Sequence, residues 1–293
     1  MKQIHDFLKN HNIKPTRYQK LGKVYFIEVD GEKYAIKKKE NDLDPIYNYL
    51  NARHFNYYPN VLASEDFEVT EVVEDIKYPL EQKIIDLIDI IALLHSKTSF
   101  YKEVENDYFK KIYEDISGNI EHLEEYYTDI ITMIEKEIYM SPSYYLIARN
   151  INLFFDSIYY AKENLEKWYS IVSEKNKVRF VVLHNNLSLE HFLKGDNAYL
   201  ISWNKSKIDL SIWDLYKLYK KHALEFDFEY LLLEYEKKYP LLEEERILLF
   251  ILISLPNKIT WQEEFKTCLE LTQEIDLMYK TRKWIQLYGE NKK

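Results

Sequence analysis

The spacing of apolar residues changes twice along this chain, and the order of these changes restricts the folds it can adopt. Residues 1–78 contain short β-branched and aromatic runs, which favour strands. From about Pro79 apolar residues recur every three or four positions, the period of amphipathic helices. A strand-like period then returns at 179–203. The sequence therefore predicts an α+β protein with a small N-terminal α/β lobe at 1–78, which holds an antiparallel sheet, and a larger, mainly helical lobe at 79–293 that carries a short β hairpin at 179–203.

The first lobe contains a turn signal between two strand-like runs. Val24–Val29 and Lys33–Lys37 flank Asp30-Gly31, a dipeptide typical of two-residue β hairpins. The pair Asp44-Pro45 is typical of a helix start, with Asp44 as the N-cap and the proline in the first turn. That helix is predicted to reach about residue 55, and two further strands are predicted at 60–63 and 67–73.

Apolar stripes predict three long helices in the second lobe. They lie at Ile84–His95, Ile112–Ile138 and Ile147–Trp168, and further helices follow from Ser211 to the end of the chain. The most apolar run is Ile247–Leu255. It is far shorter than the ~20 residues needed to span a bilayer, so we expect a buried helix there.

Charge and composition exclude several classes of function. Lys and Arg number 40 against 49 Asp and Glu, and the net charge of −9 disfavours nucleic acid and anionic membrane surfaces as partners. There are 5 glycines and no G-x-G-x-x-G motif, which disfavours a dinucleotide-binding fold. Cys268 is the single cysteine, so an internal disulfide is excluded. Because the amino terminus also lacks an apolar signal core, we expect a cytoplasmic protein.

The strand-like insertion at 179–203 carries polar residues at a spacing that can be compared with known motifs. Leu183–Leu193 reads LHNNLSLEHFL, and Leu200–Trp203 reads LISW. These segments resemble the catalytic and metal-binding loops of the aminoglycoside phosphotransferase and choline kinase superfamily, which shares its fold with protein kinases. The family pattern is H-x-D-x-x-x-x-N followed by I-D-W. By this resemblance His184 stands at the family's histidine, Asn186 at the catalytic aspartate, His191 at the metal-binding asparagine and Ser202 at the aspartate that holds magnesium.

Other landmarks follow in the order of that family. Tyr34–Lys37 resembles the strand whose lysine holds nucleotide phosphates, so the resemblance implies Lys37, with His184, as cofactor-binding residues. Ala92–Ser96 resembles the family's L-x-x-L-H helix end, and Trp213–Leu215 resembles the D-L that follows the metal loop. The bacterial spore-coat kinase-like proteins are similar in length and layout. The resemblance therefore implies a two-lobed protein-kinase-like fold in a bacterial protein, cytoplasmic or spore-associated.

The acidic groups of the family pattern are missing at these positions. Asn186 cannot accept a proton at neutral pH, so general-base catalysis is not available to it. His191 and Ser202 are poor magnesium ligands, because magnesium prefers charged oxygen. Gly22 is the one glycine in the loop from Tyr18 to Tyr25, too few to bring several backbone N–H groups around phosphate. We therefore expect no intact catalytic residue and no metal ligand.

These losses favour a catalytically degenerate kinase-like protein, a pseudokinase, that acts by binding a small-molecule ligand or a protein partner without a cofactor. The alternative is an active small-molecule phosphotransferase with rewired metal ligands, in which Asp196 or Asp209 substitutes for Ser202 and ATP and magnesium bind weakly. A helical scaffold with no ligand is a third hypothesis. The sequence leaves open whether the protein is an enzyme. Nucleic-acid and membrane partners are not expected.

Several residues also have a purely structural interpretation. Lys37 begins the run Lys37-Lys38-Lys39, which fits a solvated cluster at a strand end as well as a phosphate ligand. Asp44 is the carboxylate nearest to a partner for Lys37 by the family register, but the N-cap role competes with this. His184 and His191, with Asp196 or Asp209, lack the helical spacing and cysteine partner typical of zinc sites. The resemblance places the five site residues around one concavity between the lobes, either open to a neutral or anionic, metal-free ligand or filled by aromatic side chains.

Overall fold

The computed structural model describes residues 4, 7–9, 13–64 and 66–290. It divides into two compact units, the first comprising Met1–Ile90 and His184–Lys207 and the second Ile91–Leu183 and Ile208–Lys293. Helices and antiparallel sheets are both present, which confirms the predicted α+β class. The predicted lobes of 1–78 and 79–293 rest on periodicity alone and stay a prediction. The expectation about the amino terminus falls mainly on residues outside those described.

The first unit contains a five-stranded antiparallel sheet in the order β1-β2-β3-β5-β4. Its strands are β1 Arg17–Leu21, β2 Val24–Val29, β3 Glu32–Lys38, β4 Val61–Ser64 and β5 Phe67–Glu71. The Asp30-Gly31 hairpin is confirmed, with φ values of 53° and 88° at its two residues. Positive φ at both positions is what a type I′ turn requires, and Asp and Gly tolerate it better than other residues.

The two faces of this sheet differ in chemistry because side chains alternate along each strand. One face supplies apolar side chains to a core that also includes Ile4, Phe7 and Leu8. The residues of this face are Ile27, Ile36, Phe67 and Val69. Each such burial contributes roughly 1.5–3 kcal/mol. The same alternation places Lys37 and Glu68 on the opposite face.

Helix α1, Asp44–Ala52, begins differently from the sequence prediction. Its N-cap is Leu43, without a side-chain hydrogen bond, so the prediction of Asp44 as the N-cap is wrong. Oδ1 of Asp42 accepts the backbone N–H of Asp44 at 3.2 Å instead. The Asp44 carboxylate lies 3.3 Å from Nζ of Lys39. An ion pair with this nearby lysine therefore occupies the carboxylate.

The strand-like insertion is divided between two sheets. Strands β8, Phe192–Lys194, and β9, Ala198–Leu200, form a two-stranded hairpin in the first unit. Strand β7, Lys177–Leu183, belongs instead to a three-stranded sheet in the order β10-β7-β6. Its partners are β6, Phe100–Glu103, and β10, Lys207–Asp209. The hairpin is therefore shorter than the predicted span of 179–203, because β7 finds its ladder of hydrogen bonds elsewhere.

Most of the helical residues lie in the second unit, and the predicted helices are present with different ends. The remaining helices are α2 Leu80–Thr98, α3 Tyr108–Ile134, α4 Pro142–Val172, α5 Ile212–His222, α6 Phe228–Glu236, α7 Glu243–Ser254 and α8 Glu264–Glu290. Helix α3 ends four residues before the predicted Ile138. Ser141 then caps α4 by accepting the backbone N–H of Tyr144 at 3.3 Å, and Pro142 follows at the first helical position.

Large aromatic side chains pack in the interior of the second unit. Tyr127 and Phe154 are fully buried, with ring centroids 4.6 Å apart. Helix α7 carries the apolar run noted in the sequence and buries nearly all of it, so the expectation of a buried helix is confirmed. Among the described residues, no helix combines the length and apolarity that crossing a bilayer requires.

Candidate functional site

The face of the five-stranded sheet opposite its apolar core forms one wall of a cavity of about 300 Å³ within the first unit. Strands β2, β3 and β5, the segment after β3 and the residues that follow β9 contribute to its walls. The apolar lining residues are Val24, Phe26, Ala35, Leu43, Pro59, Val72, Val73, Leu193, Ile201 and Trp203. The polar lining residues are Lys37, Lys38, Lys39, Glu40, Asn41, Glu68, Thr70, Glu71, Ser202 and Asn204. Concave sites that combine apolar walls with polar groups are typical of small-molecule binding.

Lys37 and Glu68 are cross-strand neighbours in this wall. They occupy directly opposed positions of β3 and β5. Burial raises the pKa of the Glu68 carboxyl, and the charges of Lys37 and Lys39 oppose that rise. Within residues 13–64 and 66–290, no carboxylate forms an ion pair with Lys37. The cavity wall therefore offers an ammonium group and a carboxyl group whose proton is held more tightly than usual.

Ser202 and Asn204 bring polar atoms to another part of the wall. Ser202 adopts a left-handed backbone conformation, with φ 68°. Nδ2 of Asn204 donates to Glu40 at 3.2 Å, and the Asn204 carbonyl accepts Nδ2 of Asn41 at 3.0 Å. The side-chain oxygen of Asn204 is buried and has no hydrogen-bond partner among the described residues. A bound ligand with a donor group would satisfy this oxygen.

The loop from His184 to His191 directs its side chains at backbone carbonyls. Nε2 of His184 lies 2.9 Å from the carbonyl of Ile201, and Nδ1 of His191 lies 2.7 Å from the carbonyl of Asn186. Asn186 donates its side-chain N–H to the carbonyl of Ser202 at 3.4 Å. His184 is fully buried, and its ring packs edge-on against Trp203 at 4.8 Å. These side chains brace the loop.

Two of the five site residues named from the sequence line the cavity. Lys37 and Ser202 line the cavity, whereas His184, Asn186 and His191 are not among the residues that line it. Glu68 and Asn204 line it as well and were missed in the sequence. A signal for Glu68 existed, since it stands between two apolar residues of a predicted strand and must face away from the core.

The expected phosphate loop is a tight turn. Strands β1 and β2 are joined by Gly22 and Lys23 alone, and Gly22 has φ 59°. Nζ of Lys23 lies 3.1 Å from Oε1 of Glu40. A two-residue turn presents few backbone N–H groups, which agrees with the expectation drawn from the scarcity of glycine.

Comparison with known proteins identifies the fold. No protein-family model matches the chain, and no curated protein matches its sequence. An aminoglycoside phosphotransferase from Alicyclobacillus acidocaldarius is similar in structure, with a TM-score of 0.70, 9% identity and coverage of 94% of this chain and 93% of that one. The choline kinase LicA of Streptococcus pneumoniae gives a TM-score of 0.51 at 15% identity, with 97% of each chain covered. The chain has the fold of the aminoglycoside phosphotransferases and choline kinases.

A spectinomycin phosphotransferase in complex with AMP is also similar, with a TM-score of 0.53 and 12% identity over 99% of this chain and 94% of that one. The resemblance stated from the motifs is thereby confirmed at the level of the fold. Similarity to the spore-coat branch stays a prediction. Since all these identities are low, the comparisons establish the fold, and the chemistry depends on the residues of this chain.

The side chains present do not fit the magnesium ion that kinases of this fold use. Ser202 offers a neutral hydroxyl, and the Nδ1 atom of His191 is occupied by a carbonyl. Asp196 is exposed in the turn between β8 and β9 and does not line the cavity. Asp209 accepts the backbone N–H of Leu210 at 2.8 Å. In the described part of the chain, no group of three or more His, Cys, Asp or Glu side chains is arranged to hold a metal ion.

Two further landmarks of the fold lie in the second unit and form a buried cluster. His95, from the L-x-x-L-H segment, and Asp214, from the D-L segment, are both fully buried, with Nε2 of His95 3.3 Å from the carboxylate. Nδ1 of His95 lies 2.7 Å from the hydroxyl of Tyr235. Burial raises the pKa of Tyr235. The hydroxyl therefore stays protonated and available as a donor, and the cluster joins α2, α5 and α6.

Proposed function

We propose that this protein is a pseudokinase of the aminoglycoside phosphotransferase type, which binds a ligand or partner and does not transfer phosphate. One observation carries the proposal. The three positions that the resemblance equates with catalytic and metal-binding groups hold Asn186, His191 and Ser202. The first two use their side-chain nitrogen atoms to hold backbone carbonyls. They act as structural parts of the loop.

Elementary chemistry supports this proposal. Phosphoryl transfer needs a group that accepts or orients the proton of the nucleophile and cations that neutralise charge on the phosphates. The amide of Asn186 has no basicity at neutral pH, which removes a general-base contribution of roughly 10²–10⁴ in rate. Lys37, Lys38 and Lys39 line the cavity wall, and Lys39 is already paired with Asp42 and Asp44. Lysine side chains do not supply the carboxylate-bound metal ions that kinases of this fold place on the phosphates.

The cavity of the first unit is the proposed binding site. Its apolar walls favour a ligand with an apolar body, and Lys37, Glu68 and Asn204 offer hydrogen bonds to a polar edge. Lys37 has no carboxylate partner among the described residues, so a neutral or anionic, metal-free ligand fits best. A protein partner that inserts such a group is the second form of the same proposal.

The proposal also covers the partners of the protein and its location in the cell. The net charge of −9 supports the absence of nucleic-acid and anionic-membrane partners. The single cysteine supports a reducing compartment. A bacterial protein, cytoplasmic or spore-associated, follows from the resemblance of its motifs to the spore-coat kinase-like proteins.

The second candidate is an active small-molecule phosphotransferase with rewired metal ligands. It is favoured by three glutamates, Glu40, Glu68 and Glu71, which line the same cavity as Ser202. Glu40 is engaged by Asn204 and Lys23, and burial disfavours the ionised form of Glu68. Glu40 and Glu68 are therefore poorly available as magnesium ligands in place of Ser202. Asp196 and Asp209, the replacements considered from the sequence, do not line this cavity.

Thermal unfolding with ATP separates these candidates. We expect any shift in Tm on adding ATP to be the same with magnesium and with EDTA, because no carboxylate at the family positions couples the two ligands. Lys37→Met should abolish such a shift, and Lys33→Met, on the same strand but outside the cavity wall, should leave it unchanged. A larger Tm shift with magnesium than with EDTA would support the active phosphotransferase instead.

A further inference from the structure

A second cavity, of about 670 Å³, lies within the helical unit. It is bounded by the end of α5, the segment 257–260 and the middle of α8. Its volume is within the range of known small-molecule sites. The proposed function makes no use of this cavity.

Lys220 is the half-buried cation of this cavity. Its ammonium group donates one hydrogen bond, to the carbonyl of Leu255 at 2.8 Å. An ammonium group has three N–H donors, and no carboxylate among the described residues forms an ion pair with this one. Burial lowers the pKa of Lys220, and the charge of Glu274 opposes the effect. Lys220 is therefore a half-buried cation that feels the charge of Glu274 but forms no direct ion pair with a carboxylate of the described residues.

Two exposed lysines line the same cavity. Lys221 and Lys258 have no carboxylate within ion-pair distance in the described part of the chain. Nζ of Lys258 lies 5.3 Å from the centre of the Tyr126 ring, an interaction that leaves its N–H donors available. Together with Lys220, these side chains place three cations around one cavity.

Three glutamates also line the cavity, but neighbouring donors already occupy each of them. The pairs are Glu225 with Nδ1 of His222 at 2.9 Å, Glu270 with Nε2 of Gln262 at 2.6 Å, and Glu274 with Nδ2 of Asn257 at 2.9 Å and its backbone N at 2.7 Å. The glutamate acceptors are therefore partly used within the protein, whereas among the lysines, in the described part of the chain, only Lys220 donates a hydrogen bond, to the carbonyl of Leu255.

We propose that this cavity binds a small organic anion, a carboxylate or a phosphate monoester with a short apolar body. Lys220 pairs with the anionic group, and Lys221 and Lys258 add attraction from the exposed side. The side chains of Leu271 and Leu277, both buried, supply apolar surface for the body of the ligand. Binding gives the half-buried ammonium group a direct ion pair, whereas Glu274 acts on it without one.

Calorimetric titration of the full chain with three matched probes tests the proposal. Benzoate and phenyl phosphate carry the two anionic groups on the same ring, and benzamide is the neutral control. We expect at least one anion to bind about tenfold more tightly than benzamide, and the tighter of the two identifies the anionic group. Lys220→Gln should remove this preference, whereas Lys217→Gln, on the same helix but outside the cavity, should retain it.

A second measurement does not depend on the folding of the Lys220 variant. Reductive methylation of the wild-type protein with formaldehyde, followed by peptide mass spectrometry, reports the reactivity of each lysine. The preferred anion should slow modification of Lys220 several-fold and leave Lys217 unaffected, while benzamide should protect neither. Equal binding of anions and benzamide, or modification of Lys220 at the same rate with and without the anions, would overturn the proposal.

Discussion

At the scale of single residues, burial in the cavity wall changes the ionisation of Glu68. Burial raises the pKa of its carboxyl group above the value in the unfolded chain, and the opposing charges of Lys37 and Lys39 do not cancel the rise. Asp44, also negative, adds to the rise. The folded protein therefore holds this proton more tightly than the unfolded chain does, and ionising Glu68 reduces the stability of the fold.

The variant Glu68→Gln tests this electrostatic assignment. The stability supplied by the protonated carboxyl is complete below the unfolded pKa, about 4.3, and is lost as the pH rises through the raised folded pKa. Gln stays neutral throughout. The Tm of the variant minus that of the wild type should therefore increase as the pH rises from 4 to 7. The control is Glu71→Gln, which removes a carboxyl group at an exposed position of the same strand. A Tm difference for Glu68→Gln that shrinks over this range would contradict the assignment.

His184 is expected to stabilise the fold rather than to contact a ligand. Replacing it with alanine removes the hydrogen bond to the Ile201 carbonyl and the packing against Trp203. We expect a loss of about 2–4 kcal/mol in the free energy of unfolding, which combines a cavity with an unsatisfied carbonyl. Urea denaturation measures it, with His122→Ala in an exposed position of α3 as the control. A loss as small as that of the control would show that His184 does not brace the loop.

At the scale of elements, an ion pair joins β7 to the start of α7. Arg179 binds the carboxylate of Glu245 through two nitrogens and donates to the carbonyl of Pro240 at 2.9 Å. The carboxylate also accepts the backbone N–H of Leu242 at 3.0 Å, at the N-terminus of the helix. The side chains of Arg179 and Glu245 are 12% and 6% exposed. Each charge is therefore largely shielded from water and depends on the other for electrostatic stabilisation.

Removing the arginine should be costly. In Arg179→Met the Glu245 carboxylate remains buried without its cation, and we expect the free energy of unfolding to fall by about 3–5 kcal/mol. The matched control is Lys110→Met, which breaks the exposed pair of Lys110 with Glu114 in α3. Exposed pairs contribute little, so the control should change the urea midpoint only slightly. Similar losses for the two variants would contradict the role of burial in this pair.

The elements that could be predicted are those whose sequence signal is local. Strand β2 has the predicted bounds because the Asp30-Gly31 turn fixes where it ends. Strand β1 was missed because all five of its residues are exposed, which leaves no alternation of apolar and polar side chains. Strand β6 was missed for the same reason, since its side chains are mostly exposed. Strand β1 is defined by its pairing with β2 and strand β6 by its pairing with the distant β7, and neither pairing leaves a trace in the local period.

At the scale of the whole molecule, the order of motifs predicted the fold but only part of the cavity wall. Lys37 and Ser202 were named from the sequence, and both line the cavity. Asn204 was not named, because its side-chain contact with Glu40 joins two segments that lie 164 residues apart in the sequence. Sequence spacing likewise cannot show that Asn186 donates to the carbonyl of Ser202 or that His191 contacts the carbonyl of Asn186.

The most direct test restores the missing groups. The central claim is that Asn186, His191 and Ser202 remove the coupling between nucleotide and magnesium. Calorimetric titration should give the wild-type protein the same ATP affinity with magnesium as with EDTA. The variant carrying Asn186→Asp, His191→Asn and Ser202→Asp should bind ATP more tightly with magnesium. Magnesium-dependent ATP binding by the wild-type protein would contradict the claim.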